Sequence, residues 1–302
     1  MTAKVTLGAV IPTTQYGNLQ PSFEVEGNTV DEAMGEALDI MKRVWDSVSK
    51  TPLDVKAVDA QVEYRPATTQ DLTCWASGTV VQFDPVEHRY SPGQWLSGSA
   101  FAGQYTPDFP ADMIAGKMAA KTVDVEPAEI MAMWALNAEA SSTFGTSVHA
   151  ALELYGRYLA TSQAVKGSNE SALTKNPILR PIVEAFFAGR EDEEAVYEAF
   201  VADPVLKHCG QIDRLLITGP RTVRVQDFKS NSELDKKETI GKPFRGVVES
   251  TKLGGMWLQL SFYAHILIRL GYTVEGLDIF HLQGDGSWVT HSHDVVDISE
   301  VI

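Results

Sequence analysis

The spacing of apolar and polar positions divides the chain into recognisable elements. Residues 4–11 and 20–26 alternate as two short strands. Thr29-Val30-Asp31-Glu32 then forms a capping box, and Met34, Ala37, Leu38, Met41, Trp45 and Val48 recur on one face at helical spacing. This helix is predicted to stop near Ser49, ahead of Thr51-Pro52. A third strand is predicted within residues 57–73, with Pro66 to Asp71 as a polar linker. The pattern predicts a small N-terminal ββα unit over residues 1–68, too short to bury a comfortable core alone, and a larger domain over 75–302.

In the larger domain a hairpin is predicted over 78–90 and helices over 108–121 and 127–140. Gly145-Thr146 reads as the start of another helix that carries His149 and Glu153 on one face, i and i+4. A polar loop over 161–175 precedes a helix over 177–189 and a strand from Glu194 to Val201. Alternation along that strand puts Glu194, Val196, Glu198 and Phe200 on one face. Asn231 to Ser250 reads as a long, mobile, substrate-facing loop. Gly254-Gly255 precedes a helix from Met256 to Leu270, which places Gln259 on the surface and Tyr263 at the core edge. Strands over 274–282 and 287–292 close the chain. The predicted fold class is α/β, a mixed central β-sheet flanked by helices.

The most informative stretch runs from Lys207 to Ser230. It reads as a β-hairpin turning at Gly219-Pro220, with Asp213 on the first strand and Asp227 and Lys229 on the second. Residues i and i+2 share a strand face, so Asp227 and Lys229 project together, and pairing across the hairpin brings Asp213 beside Asp227. Clustered carboxylates repel unless a cation neutralises them, and an oxygen-lined pair suits Mg²⁺. A lysine beside such an ion stabilises a metal-bound hydroxide or a phosphoryl transition state. The same residues also fit a solvated strand face, and a helical histidine such as His149 is more often an ordinary polar contact. Glu198 fits the carboxylate cluster or the surface equally well.

The composition narrows this without deciding it. The formal charge of −15 argues against a protein that coats DNA without sequence preference, although residues 221–252 concentrate Arg221, Arg224, Lys229, Lys236, Lys237, Lys242, Arg245 and Lys252. The two cysteines, Cys74 and Cys209, cannot form a disulfide framework and read as small core residues. No apolar run is long enough to span a bilayer and no signal-peptide pattern opens the chain, so no membrane association and a cytoplasmic location are expected.

Four segments in register resemble the RecB-type branch of the PD-(D/E)XK nuclease superfamily: Gly145-Thr-x-x-His149 with Glu153, Gly210-x-x-Asp213-Arg214, Gln226-Asp227-Phe228-Lys229-Ser230, and Gln259-x-x-x-Tyr263. The stretch from His88 to Trp134 resembles the region that precedes the histidine in phage-encoded exonucleases of this group, and the resemblance covers residues 75–300. It implies a restriction-endonuclease-like core in which His149, Asp213, Asp227 and the Phe228 carbonyl bind Mg²⁺ or Mn²⁺. Lys229 orients or deprotonates the attacking water, and Gln259 and Tyr263 position the DNA strand or brace the site. Glu153 and Glu198 are further candidates for water-mediated metal contact. Arg214 contacts phosphate or pairs with a carboxylate. Some relatives hold an iron–sulfur cluster with four cysteines, a number this chain does not reach.

The function so implied is a metal-dependent DNA nuclease, most simply an exonuclease that processes DNA ends for recombination or repair, phage-encoded and acting in the bacterial host cytoplasm. DNA is the implied partner, with a single-strand annealing protein and a homo-oligomer as further associations. The alternatives are a catalytically inactive DNA-binding recombination accessory protein on the same fold, and a metal hydrolase acting on another phosphoester.

Overall fold

The computed structural model describes residues 2–9, 11–14, 17–19, 21–27, 29–48, 58–65, 69–107, 109–122, 125–162, 173–230 and 233–302. The helix stop at Thr51-Pro52, the start of the linker at Pro66, Asp108 and most of the predicted 161–175 loop lie outside them. The chain divides into two compact units, residues 1–71 with 82–90, and residues 72–81 with 91–302.

In the first unit, strands β1 (Thr2–Ala9), β2 (Ile11–Thr14), β3 (Gly17–Leu19) and β4 (Ser22–Gly27) precede helix α1 (Val30–Val48) and strand β5 (Val58–Arg65). β4, β1 and β5 form a three-stranded antiparallel sheet, while β2 and β3 pair separately. The Thr29 hydroxyl accepts the Glu32 amide at 3.2 Å, so the capping box starts the helix where its sequence places it. Ala33, Ala37, Met41 and Trp45 then close over Val5 and Leu7.

Short strands β6 (Gln70–Thr73), β7 (Val80–Asp84) and β8 (Arg89–Ser91) lead to β9 (Leu96–Ser97) and helices α2 (Gly98–Gly103), α3 (Ala111–Ala119), α4 (Pro127–Ser162) and α5 (Leu179–Phe187). Strands β10 (Ala195–Asp203), β11 (His208–Gly219) and β12 (Thr222–Lys229) follow, then α6 (Lys252–Arg269), β13 (Thr273–Leu282) and β14 (Trp288–His293). The central sheet runs β10-β11-β12-β13-β14, with β9 also on β11. It is mixed: β12 pairs β13 in parallel, with α6 as the crossover, and β9 pairs β11 in parallel, while the other ladders are antiparallel. The main core sets Leu258, Phe262 and Ile266 of α6 against Ile212, Val225 and Ile279 of the sheet. A second cluster, rich in aromatics, joins Leu152 and Tyr155 of α4 and Phe186 of α5 to Phe228 and Phe280. Helices therefore flank the mixed sheet, each buried apolar side chain contributing about 1.5–3 kcal/mol.

Four expectations need correction. Residues 127–162 form one helix, so Gly145-Thr146 is helix interior and not a helix start. No proline interrupts the run, and an interior glycine costs only about 1 kcal/mol. The glycine serves packing: a Cβ there would sit 3.0 Å from the Ser230 hydroxyl. Of the predicted 231–250 loop, residues 233–250 are described and anchored, because Leu234, Ile240, Phe244 and Val248 are buried in the main core without regular periodicity. Helix α6 begins at Lys252, capped by Thr251, and takes Gly254 into its first turn, where a Cβ would meet the Glu249 carbonyl at 2.0 Å. Finally, Val196, Ala199 and Val201 pack on the same main core, so the simple alternation of β10 breaks at Glu198, whose φ is +52°.

Candidate metal centre

The break in alternation builds the site. β10 and β11 pair Tyr197 with Arg214 and then Ala199 with Ile212, so Glu198 stands opposite Asp213 between those two rungs. On β11 the alternation breaks at the same level, since Ile212 and Leu215 both enter the main core. The other edge of β11 changes partner there as well. His208 and Cys209 pair with β9, and β12 takes over at Arg214↔Gln226. Asp213 falls in the interval, at a fork between β11 and β12. Its Oδ2 accepts the Phe228 amide at 2.9 Å and lies 3.4 Å from His149 Nδ1 on α4.

One ligand atom each from His149, Glu198 and Asp213 lies within 4.8 Å of the others, a set that can hold a metal ion. Asp227 stands beside this trio, paired with the Lys229 ammonium. That ammonium also donates to the Phe228 carbonyl at 3.3 Å, and the same carbonyl is within hydrogen-bonding reach of His149. The cleft, about 890 Å³, is lined by His149, Glu153, Glu198, Gln211, Asp213 and Ser230 among others. Glu153 is held at 2.8 Å by Arg157, one turn along α4. Gln211, two residues before Asp213, donates to Glu198 Oε2 at 2.6 Å.

Electrostatics single out the same place. Burial, then the neighbouring Asp227, pushes the Asp213 carboxyl well above the usual carboxylate range. Burial and the Glu153 charge raise Glu198 to about 7. Burial, with Lys229 nearby, lowers His149 and keeps its imidazole neutral, the form that ligates metals. Burial works to lower Lys229, but Asp227 and Asp213 outweigh it and the ammonium is retained. Asp227 Oδ2 is wholly buried and accepts no hydrogen bond of ordinary geometry among the described residues, which leaves Lys229 as its ionic compensation. Imidazole, carboxylate and carbonyl donors around such an under-compensated oxygen fit a hard divalent cation.

The remaining predicted residues lie elsewhere. Tyr263 is buried, with its ring wedged against two glycines: a Cβ on Gly98 would meet it at 2.3 Å and one on Gly210 at 2.2 Å. It braces β11 near Asp213, and Gln259 Nε2 donates to its hydroxyl at 2.9 Å. Gln259 itself opens on a separate groove with Ser99, Thr106 and Lys252. Arg214 is turned into the fold and takes a carboxylate partner. It is 1% exposed, and its guanidinium bonds Tyr197 at 3.1 Å, Glu193 at 2.6 Å and the Gln226 side-chain carbonyl. Gln226 in turn donates to Asp278 at 2.9 Å, which Arg224 and Ser292 also hold. The basic stretch is thereby divided: Arg224 and Lys229 are engaged within the fold, while Lys236, Lys237, Lys242 and Arg245 are exposed. The sequence reading missed Arg157 and Gln211, although their spacing of i+4 from Glu153 and i−2 from Asp213 was a usable signal.

Among the described residues no helix is long and apolar enough to cross a membrane. No protein-family model matches the chain, and no curated protein matches it. A solved structure described as "Crystal structure of SSO0001" is similar over 50% of this chain and 69% of that one, at 13% identity and a TM-score of 0.24, a likeness that bears on neither fold nor function.

Proposed function

We propose that this chain is a divalent-metal-dependent deoxyribonuclease of the PD-(D/E)XK kind, and that it processes DNA ends for recombination or repair. One observation carries the reading: His149, Glu198 and Asp213 meet beside the Asp227–Lys229 pair where β11 and β12 part. On this reading the mixed sheet is a restriction-endonuclease-like core and the N-terminal unit an accessory to it. DNA is the substrate, and a single-strand annealing partner and self-association belong to the same proposal.

His149, Asp213, Asp227 and the Phe228 carbonyl would hold Mg²⁺ or Mn²⁺, joined by Glu198. When bound, the ion would polarise a phosphoryl oxygen and acidify a bound water. The chain's own groups account for the rest. The neutral His149 offers a lone pair, and the Phe228 amide fixes the orientation of the Asp213 carboxylate. Asp227 holds the Lys229 ammonium where negative charge develops during phosphodiester hydrolysis. Tyr263, behind Gly210, keeps β11 from shifting.

The test is incubation of purified protein with end-labelled linear DNA in Mg²⁺ or Mn²⁺, with and without EDTA. Cleavage that requires the ion and is lost in Lys229→Ala supports the reading. DNA binding without cleavage in either ion transfers the chain to the accessory class, and cleavage unaffected by Lys229→Ala removes the assigned chemistry.

A further inference from the structure

The cleft does not end at the carboxylates. Ser230, the residue after Lys229, lines both this cleft and a second cavity of about 880 Å³. The two are walled differently. The first is lined by imidazole and carboxylates, whereas the second presents Phe144, Ile178, Ile182 and Leu282 together with the polar Gln283, Asp285 and Ser287. Phe144 is 37% exposed and Ile178 63% exposed, a wet apolar surface directly beside a polar site. Phe144 also precedes His149 by five residues on the same helix, so α4 carries the phenyl ring to one cavity and the imidazole to the other.

We propose that this second cavity receives an unpaired nucleobase, the neighbour of the phosphate held in the cleft, stacked on Phe144. The proposal rests on the nuclease reading above. A nucleic-acid strand alternates a charged backbone with flat, apolar base faces whose edges are polar. A strand crossing at Ser230 places a phosphate beside the cation that the first cavity would hold and an adjacent base against the apolar residues of the second. Gln283, whose Nε2 donates to the His281 carbonyl at 3.3 Å, offers its side-chain carbonyl and second N–H to the base edge. The Asp285 carboxylate is already engaged by the Ser287 amide at 2.9 Å and the Ser287 hydroxyl at 2.6 Å. A base still stacked in a duplex cannot enter such a cavity. The substrate class is therefore DNA with a frayed or single-stranded end, and stacking makes the choice tolerant of sequence.

Binding can be separated from cleavage in a Lys229→Ala background with Mg²⁺, using a fluorescently labelled duplex with a short single-stranded tail, and the same duplex with an abasic tail. Phe144→Ala is expected to weaken binding of the normal tail about tenfold, and the abasic tail to weaken binding to the Phe144 protein by a similar factor. The two changes together are expected to cost no more than either alone, because ring and base act on each other. Phe144→Trp restores the affinity. Losses that multiply, or no loss in Phe144→Ala, overturn the base site while leaving a DNA-cleaving parent protein as evidence for the nuclease. A parent protein that neither cleaves nor binds linear DNA overturns both. Phe144 is exposed, and an unchanged thermal melt shows that the variant folds.

Discussion

The Asp213 carboxylate accepts a hydrogen bond from the Phe228 amide at 2.9 Å, across the fork where β11 leaves β12. A backbone donor that would otherwise continue the sheet ladder instead orients a charged side chain. The arrangement explains why a carboxylate sits at a place that burial and Asp227 both make unfavourable for its charge. Both effects disfavour the charged form of Asp213, and a cation beside it would offset them.

Asp213→Asn is therefore expected to stabilise the metal-free protein while abolishing its response to metal. Asparagine keeps an oxygen for the Phe228 amide and removes the repulsion with Asp227. Above neutral pH the melting temperature should rise by a few degrees in the absence of metal, an effect on the order of 1 kcal/mol. The parent should gain stability on titration with Mn²⁺, and the variant should not. Differential scanning calorimetry with and without Mn²⁺ measures both.

Glu198 gives a pH dependence with a definite sign. Its carboxyl is raised from 4.5 to about 7 by burial and by Glu153, so the folded state holds this proton more tightly than the unfolded state. Between those two values the folded protein binds more protons, and its stability falls as pH rises. The metal-free protein should thus lose stability across that window, and Glu198→Gln should flatten the loss. Metal affinity should run the other way and increase as Glu198 ionises. Urea titrations at stepped pH, paired with Mn²⁺ titrations, test the two slopes.

Much of this centre was legible because local geometry sets it. The hairpin turns at Pro220-Arg221, one residue beyond the expected Gly219-Pro220, and its register shifts between Ile217 and Gly219; the period of two along β12 nonetheless brings Asp227 and Lys229 together, as their ion pair shows. What could not be read was the left-handed conformation of Glu198, since nothing in a glutamate between Tyr197 and Ala199 announces a φ of +52°. That conformation coincides with the break in alternation on β11 between Ile212 and Leu215, and Glu198 and Asp213 both line the cleft. Helix α4 was divided in two at Gly145 because a glycine beside serines and threonines looks like a boundary, whereas its cause is the tertiary approach of Ser230. Arg214 illustrates the same limit. A charged residue next to a candidate ligand invites a functional role, and only the folded chain reveals that each of its three nitrogens donates to Tyr197, Gln226 or Glu193.

Lys229 competes with any bound cation for Asp227. Replacing it by methionine removes a positive charge from the cation's surroundings and leaves Asp227 Oδ2 uncompensated. The metal-free Lys229→Met protein should lose about 1–3 kcal/mol of stability, because the buried Asp227 carboxylate loses its ion-pair partner. Its Mn²⁺ affinity should equal or exceed that of the parent, while DNA cleavage falls by about 100-fold or more. Calorimetric metal binding and single-turnover cleavage separate the two effects. Parallel loss of metal binding and cleavage would show that Lys229 acts only by holding the site together.

Arg214 should matter for folding and not for DNA electrostatics. Its guanidinium is buried against the Phe186 and Tyr197 rings and bonds three side chains, so Arg214→Met orphans the Gln226 carbonyl and takes one donor each from Glu193 and the Tyr197 hydroxyl. A loss of about 3 kcal/mol follows from removing one member of a buried polar set. Arg214→Lys should recover little, because one ammonium cannot donate to Tyr197, Gln226 and Glu193 together as the guanidinium fork does. If instead the side chain reached a phosphate, the variant would bind DNA more weakly, with a shallower dependence on salt. The burial of Arg214 predicts an unchanged salt slope for the folded fraction, and fluorescence anisotropy across a salt series, normalised to the folded population from denaturant titration, decides between the two.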